Sequence, residues 1–262
     1  MLTDAEIVSS RAYPSPNPAV ELTEITYWSG GVRVKGLLAE PKAPGEYEGI
    51  VYMRGGIQHV GMVRPARIAQ FASRGFVVFA PYYRGNRGGE GRDEFGGADL
   101  QDAVSAVDVL KQSPLWKEGR MHLFSFSRGG LMALWTAILR DDITSTVHWA
   151  GVSDVVFTYK EREDMRRMMK RVIGGSPNNA PDAYRERTAL FRVDEIDASV
   201  LIIHGMKDEN VSLEQSIMLE DALREAGKPV ETWYFPDYTH HFPAWRNAEI
   251  VRDLTAWMKA QT

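Results

Sequence analysis

The chain has 262 residues, 44% of them hydrophobic, which is enough to bury one large core, and we predict a single domain over residues 1–262. Lysine and arginine number 31 against 35 acidic residues, giving a net charge of -4 without long runs of one sign, so nothing indicates a nucleic-acid or membrane partner. The lack of cysteine excludes disulfides, thiolate metal sites and a cysteine nucleophile.

We predict no targeting signal in the amino-terminal segment. Its first residues, MLTDAEIVSS, lack the basic start and apolar middle of a signal peptide, and no stretch is apolar enough to span a membrane. We therefore expect a cytoplasmic protein. Residues 12–20 contain three prolines, which predicts that residues 1–20 form an extended arm crossing the surface.

Two kinds of strand pattern follow. Residues 22–28 and 32–40 alternate apolar and polar side chains around a turn, which predicts a hairpin with one solvent-exposed face. Later strands are short continuous apolar runs separated by helical stretches, the pattern of parallel strands covered on both faces. We predict an α/β fold with a mostly parallel, twisted sheet of about eight strands and helices on both faces. The apolar runs span residues 49–53, 76–80, 121–126, 144–152, 199–205 and 230–235.

Three of the intervening segments carry sequence signals of helices. The segment 63–75 ends at Gly75, the segment 99–113 has an apolar stripe, and the segment 212–227 begins with Ser212 as a predicted cap and stops at Gly227. Ligands of such sheets bind outside the carboxyl ends of the strands. We therefore expect the chemistry to lie just after each strand.

A serine, an acid and a histidine follow three of these strands. Ser127 stands between a strand and a helix, Asp208 follows residues 199–205, and His240 follows residues 230–235. The α/β-hydrolase arrangement keeps this chain order of Ser, Asp and His. A helix cap is the alternative interpretation of Ser127, since serine is a preferred capping residue.

The surrounding motifs resemble the catalytic domain of the prolyl oligopeptidase family, a branch of the α/β-hydrolases that is also similar to dienelactone-hydrolase-like esterases. The resemblance is spread over most of residues 30–255. It is carried by RGGIQ at 54–58, APYYRGNRGGEGRDEF at 80–95, SFSRGG at 125–130, LIIHGMKDENV at 201–211 and DYTHHF at 237–242, together with IGGSPNNAPDAYRERTAL before the acid-bearing strand.

The resemblance implies a serine hydrolase with a catalytic triad. Ser127 is the expected nucleophile and His240 the expected base, with the adjacent His241 as its rival. Asp208 is expected to orient the histidine, in preference to two neighbouring carboxylates. The oxyanion donors are expected to be the backbone amides of Gly56 and Arg128, so that the Arg128 side chain is not required. The competing carboxylates are Glu209 and Asp237.

The chain departs from the family pattern at two motif positions. Arg54 replaces the common histidine of the oxyanion loop, and Ser125 replaces the first glycine of the GxSxG elbow, where a small residue is needed. A third departure is size, since we expect no room in 262 residues for the large propeller that filters peptide substrates in the family. We therefore expect ester substrates of small or medium acyl groups first and short peptides second. We expect no cofactor and no metal, and the oligomeric state is not predicted.

Residues 155–197 are predicted to form a small insertion after a strand. Met165, Met168 and Met169 recur at helical spacing there, and two interpretations stay open: a surface helix packing on the core, or a cap over the site. Among the other histidines, His148 and His204 lie inside strands and are expected to be core residues. His59 follows the oxyanion loop and is a candidate pocket residue.

Overall fold

The computed structural model describes residues 2–262. Its nine strands are β1 (Ile7–Tyr13), β2 (Val20–Ser29), β3 (Val32–Pro41), β4 (Tyr47–Met53), β5 (Phe76–Pro81), β6 (Trp116–Phe126), β7 (Ser145–Trp149), β8 (Ser199–Gly205) and β9 (Val230–Phe235). They form one sheet in the order β1-β2-β3-β5-β4-β6-β7-β8-β9. Strands β4 to β9 run parallel, whereas β1, β2 and β3 join antiparallel at one edge. The predicted mostly parallel sheet is confirmed.

The sheet has nine strands where about eight are predicted, because β1 lies within the segment expected to be an extended arm. This strand pairs antiparallel with β2, and six of its seven residues are exposed. An edge strand with both faces in solvent carries no apolar alternation, so its sequence holds no pattern from which to predict it. The arm is therefore partly a sheet edge.

Helices cover both faces of the sheet, as predicted. The helices are α1 (Pro65–Ala72), α2 (Leu100–Leu110), α3 (Gly129–Leu139), α4 (Val155–Glu161), α5 (Arg166–Ile173), α6 (Pro181–Arg185), α7 (Leu213–Glu225) and α8 (Ala244–Ala260). On one face α1 and α8 bury side chains such as Phe71 and Leu254 in one cluster with Ile50. On the other face α2, α3 and α7 bury side chains such as Leu134 and Leu219.

The predicted helix ends are confirmed at glycines, and Ser212 stands at the predicted N-cap position of α7. The segments of α1 and α7 stop at Gly75 and Gly227, whose φ angles of +83° and +68° suit glycine. Ser212 precedes α7, but its side chain makes no capping hydrogen bond. The amide of Gln215 bonds instead to the backbone carbonyl of Ser212, at 3.1 Å.

The insertion at residues 155–197 contains α4, α5 and α6 together with 3-10 turns at Glu163–Met165 and Ala189–Glu195. Met169 is buried in the same core as α2 and α3, and Met165 and Met168 are half-buried against it. The methionines thus pack on the core, as the first interpretation predicts. A capping role for the insertion remains a prediction.

The helices between residues 2 and 262 include none with the length and apolar character needed to cross a membrane. That the chain is a single domain and that it is cytoplasmic remain predictions.

Candidate active site

The turn between β6 and α3 holds Ser127 in a strained conformation. Its φ is +55°, in the left-handed region that side chains other than glycine rarely adopt. The Ser127 amide donates to the Trp149 carbonyl at 3.1 Å, and the Ser127 carbonyl accepts from the Val152 amide at 3.0 Å. Helix α3 begins at Gly129, and its flanking residue is Arg128, so Ser127 is not a helix cap. The surrounding structure holds this serine at a sharp corner.

Glycines allow α3 to approach the sheet closely behind this corner. A Cβ atom on Gly129 would collide with the backbone carbonyl of Met53 at the end of β4. A Cβ on Gly130 would collide with the His148 ring on β7. The two glycines of SFSRGG are therefore needed for packing.

Ser125 occupies the elbow position where the family commonly has glycine. It is fully buried on β6, and its Oγ donates to the carbonyl oxygen of Val147 on the neighbouring strand at 2.8 Å. A buried hydroxyl is costly unless it is hydrogen-bonded, and this one is bonded. The substitution is thus accommodated by its size and by one hydrogen bond.

The double-glycine loop after β4 lies against the serine. A Cβ on Gly55 would stand 2.8 Å from the Ser127 Cβ, so only glycine allows this approach. Gly56 has a φ of +65°, and a Cβ there would collide with the Val60 carbonyl. The loop that carries the predicted oxyanion donor therefore borders the nucleophile candidate.

The loops after β8 and β9 bring Asp208 and His240 together. His240 Nδ1 lies 2.7 Å from Asp208 Oδ2, and both side chains are buried. The His240 ring also lies 4.7 Å from the ring of Phe126, the residue directly before Ser127. The carboxylate, the imidazole and the serine turn thus lie together at the carboxyl end of the sheet. Within residues 2–262, Ser127 and His240 do not form a hydrogen bond with each other.

The rival residues lack such partners. His241 stacks on Phe126 at 5.5 Å, but it makes no hydrogen bond to a carboxylate in the described part of the chain. Asp237 is exposed and pairs with Lys207 at 3.0 Å, and Glu209 is exposed. The geometry favours His240 and Asp208 over these alternatives.

His204 lies next to the Asp208 carboxylate. Its Nε2 lies 2.9 Å from the Val211 carbonyl and 3.4 Å from Asp208 Oδ2, while its Nδ1 lies 2.7 Å from Ser216 Oγ. The Asp208 Oδ1 also accepts from the Val211 amide at 3.0 Å. Burial acts to raise the pKa of Asp208, but the imidazoles of His204 and His240 outweigh it and hold that pKa well below its usual range. Asp208 is therefore ionised at neutral pH.

A buried charge cluster beside the turn was not predicted. Asp93 lies between Arg54, whose Nη2 is 3.2 Å from Oδ2, and Arg128, which donates from Nη1 to Oδ1. Arg128 also lies 3.5 Å from Asp99 and over the ring of Tyr83. The Arg128 side chain, which the sequence analysis treats as not required, thus packs into the protein next to Ser127.

Arg54 also organises the oxyanion loop. Its Nη1 donates to the carbonyl oxygens of Gly55 at 3.0 Å and Val60 at 3.2 Å, and its Nη2 donates to the Tyr82 carbonyl at 3.0 Å. Burial and the nearby Arg128 charge lower the pKa of Arg54 to about 10, so it is still charged at neutral pH. No histidine could supply as many donors in this position.

A cavity of about 450 Å³ adjoins this cluster, lined in part by His59 of the loop after β4 and by Asp93. It also reaches α5 of the insertion through Arg171 and Val172. Among the side chains of residues 2–262, no group of three or more His, Asp or Glu could hold a metal ion. Ser127, His240 and Asp208 are residue types that can perform acyl transfer through a serine.

The chain is similar in sequence to known peptidases. A family model described as the prolyl oligopeptidase family matches residues 62–262. The uncharacterized peptidase YtmA of Bacillus subtilis is 57% identical over 254 residues, which cover 97% of this chain and 99% of that protein. Dipeptidyl-peptidase 5 of Porphyromonas endodontalis is 28% identical over 241 residues, 82% of this chain but only 34% of its own length.

Solved structures with the α/β-hydrolase fold align over nearly the whole chain. An acylaminoacyl peptidase of Pyrococcus horikoshii has a TM-score of 0.77 at 22% identity, covering 92% of this chain and 41% of that one. An acetyl xylan esterase from Paenibacillus sp. R4 has a TM-score of 0.76 at 16% identity, covering 97% and 88%. These likenesses confirm the predicted fold. The family model and the 57% identical relative show that the chain is a serine hydrolase belonging to the prolyl oligopeptidase family.

Proposed function

We propose that the protein hydrolyses carboxylic esters of small or medium acyl groups through an acyl-serine intermediate, with Ser127, His240 and Asp208 as the catalytic triad. The observation that carries the proposal is the 2.7 Å hydrogen bond between His240 and Asp208, on a ring that lies against Phe126 beside the strained Ser127. A base that is oriented by a carboxylate and next to a hydroxyl is the arrangement that activates serine.

The steps follow from the roles of these groups. Ser127 Oγ attacks the ester carbonyl carbon while His240 Nε2 accepts the hydroxyl proton, and Asp208 stabilises the resulting imidazolium. The tetrahedral oxyanion is held by the backbone amides of Gly56 and Arg128, each such donor contributing about 3 kcal/mol. Collapse breaks the bond to the alcohol, which takes the proton from His240. Water then attacks the acyl-serine while His240 accepts its proton, and His240 returns that proton to Ser127 Oγ as the acyl–oxygen bond breaks and the acid is released.

We propose esters as the preferred substrates over amides for a chemical reason. An amine leaves only after it is protonated, so peptide hydrolysis demands a more complete transfer from His240 than ester hydrolysis does. A second candidate substrate is a short peptide, and it is favoured by the 57% identical relative, which is named as a peptidase. Both substrates use the same acyl-serine chemistry.

A fluorophosphonate probe tests the nucleophile. We expect the wild type to be labelled, Ser127→Ala to lose the label, and Ser73→Ala, which alters an exposed serine, to keep it. In the same assay His240→Ala should lose the label and His241→Ala should keep it. An unlabelled wild type would contradict the proposed function, and loss of label in His241→Ala alone would move the base to that residue.

The substrate class is decided by a paired assay. p-Nitrophenyl esters and aminoacyl-naphthylamides are offered to the same preparation, with Ser127→Ala as the blank. We expect Ser127-dependent ester hydrolysis with a higher kcat/KM than naphthylamide hydrolysis. The reverse order would assign the protein to the peptidase candidate.

A further inference from the structure

The cavity next to the oxyanion loop has walls from three parts of the fold. Gln58 and His59 come from the loop after β4, Arg92 and Glu94 come from the loop after β5, and Arg171 comes from α5 in the insertion. Its volume of about 450 Å³ is in the range of small-molecule sites. The cavity has no role in the triad chemistry described above.

The carboxylates at this cavity have partners within the protein, whereas two of its arginines do not. Asp93 is already neutralised by Arg54 and Arg128, and Glu94 Oε2 accepts from the Ala98 amide at 3.0 Å. Within residues 2–262, the side chains of Arg92 and Arg171 form neither an ion pair nor a hydrogen bond. Two unengaged guanidinium groups thus face one glutamate, and the cavity carries a positive excess.

The strand order places the loops after β4 and β5, which supply most of the cavity wall, on one side of Ser127. Strands β4 and β5 flank β6 on one side, whereas β8 and β9, which precede Asp208 and His240, lie on the other. The leaving group must face His240, because it takes the proton from that ring. The carbonyl oxygen faces the amides of Gly56 and Arg128, so the acyl chain extends in the remaining direction, away from His240. The cavity walls formed by Gln58 and His59 lie on that side of Ser127.

We propose that this cavity binds the acyl portion of the substrate through a carboxylate, which pairs with Arg171 and Arg92. This inference rests on the proposed function and narrows it to acyl groups with a negative charge beyond the reacting carbonyl. Guanidinium groups bind carboxylates by paired hydrogen bonds, and the apolar Val172 side chain offers a surface for the intervening carbons. The carboxylate belongs either to a dicarboxylic acid chain or to an acidic residue of a peptide.

The kinetic test compares matched acidic and neutral acyl groups. Mono-p-nitrophenyl esters of dicarboxylic acids of about six to ten carbons are compared with the p-nitrophenyl esters of the corresponding monoamides. Peptide p-nitroanilides that differ only by Glu or Gln on the acyl side distinguish the second source of the carboxylate. We expect kcat/KM for the preferred acidic compound to exceed that of its amide by about tenfold, mainly through KM.

Substitutions locate the effect. Arg171→Gln and Arg92→Gln should each reduce the acidic-over-neutral ratio of kcat/KM, whereas Arg167→Gln should leave that ratio at its wild-type value. Arg167 is an exposed arginine on the same helix, outside the cavity lining. Equal rates on acidic and neutral compounds, or an equal fall of the ratio in all three variants, would overturn the proposal.

A binding measurement separates this proposal from the proposed function. Calorimetric titration of Ser127→Ala with suberate requires no turnover, and we expect binding that is lost in Ser127→Ala/Arg171→Gln and kept in Ser127→Ala/Arg167→Gln. Binding with this pattern supports the cavity even if no ester is hydrolysed. No binding to Ser127→Ala of suberate or of the Glu-containing peptide acids would overturn it even if esters are hydrolysed.

Discussion

Arg54 and Asp93 form a buried ion pair in which Nη2 lies 3.2 Å from Oδ2 and each side chain is 1% exposed. The same guanidinium donates to the carbonyl oxygens of Gly55 and Val60, which bracket Gly56. Asp93 in turn accepts from the Gln58 amide at 3.2 Å. The pair therefore holds the oxyanion loop from inside the protein, which explains an arginine at this position.

We predict that Arg54→Leu lowers both stability and turnover. Asp93 keeps its pair with Arg128, but the buried carbonyl oxygens of Gly55 and Val60 lose their donor, which should reduce the free energy of unfolding by about 1 to 3 kcal/mol. Because the Gly56 amide loses its support, kcat should fall by about tenfold or more, with a smaller change in KM. Urea unfolding and steady-state ester kinetics measure the two effects.

Arg252→Ala is the control for this prediction. Arg252 forms an exposed pair with Asp253, and solvent screens such pairs so that they contribute little to stability. It should therefore change neither stability nor kcat appreciably. A folded Arg54→Leu protein with the kcat of the wild type would contradict the role assigned to the pair.

His204 is predicted to act as a positioning residue for Asp208. Replacing it by Ala removes the ring that lies 2.9 Å from the Val211 carbonyl and 3.4 Å from Asp208 Oδ2. The acid loop should then hold His240 less well, so we expect kcat to fall by about tenfold while KM stays within about twofold. Ester kinetics over a range of substrate concentrations separates the two constants.

His122→Ala is the matched control for His204→Ala. His122 is equally buried and also bonded on both nitrogens, to Ser145 and Glu48, but it lies near the opposite end of the parallel strands. We expect it to lose stability and retain kcat. Equal losses of kcat in the two variants would show that His204 acts only through general stability.

The positions of Ser127, Asp208 and His240 were predictable because each lies in the loop or turn that follows a predicted strand. Parallel strands bring their carboxyl ends to one edge, so three distant residues meet without any information beyond the strand order. The structure then adds the 2.7 Å bond between Asp208 and His240. The assignment of catalytic roles to the three residues remains a proposal.

The cluster of Arg54, Asp93 and Arg128 was not predictable in the same way. Each residue stands in a polar, glycine-containing loop, where a charged side chain is ordinarily exposed. Their burial follows from packing between three loops that are distant in the sequence. Strand β1 escaped prediction for a related reason, because its pairing with β2 uses backbone groups and leaves its side chains in solvent.

Ser125→Gly is predicted to cost stability without much effect on catalysis. The change removes the hydrogen bond from Ser125 Oγ to the Val147 carbonyl and adds backbone freedom within β6, together about 1 to 2 kcal/mol. Glycine is the usual residue of this elbow, so kcat should stay within about threefold of the wild type. Unfolding experiments and ester kinetics on one preparation test both parts, and a loss of kcat beyond tenfold would give Ser125 a role in catalysis.

His148 is predicted to make the protein sensitive to mild acid. It is fully buried on β7, and burial lowers its pKa to about 4. In the unfolded chain a histidine binds its proton near pH 6.5. Between these two values the unfolded state holds more protons, so stability is fully present above pH 6.5 and is lost as the pH falls toward 4.

A substitution separates the contribution of His148 to the pH dependence of stability from the contributions of other groups. Burial raises the pKa of Asp99 to about 6, which gives a stability contribution that falls as the pH rises between about 4 and 6, opposite to that of His148. His148→Asn leaves Asp99 in place and removes only the histidine contribution. The change in unfolding free energy from pH 7.5 to 4.5 should therefore shift by about 2 to 3 kcal/mol toward stability at pH 4.5. Urea unfolding at the two pH values measures it, with His59→Asn in the exposed loop as the control, and a His148→Asn protein that follows the wild-type pH dependence would refute the assignment.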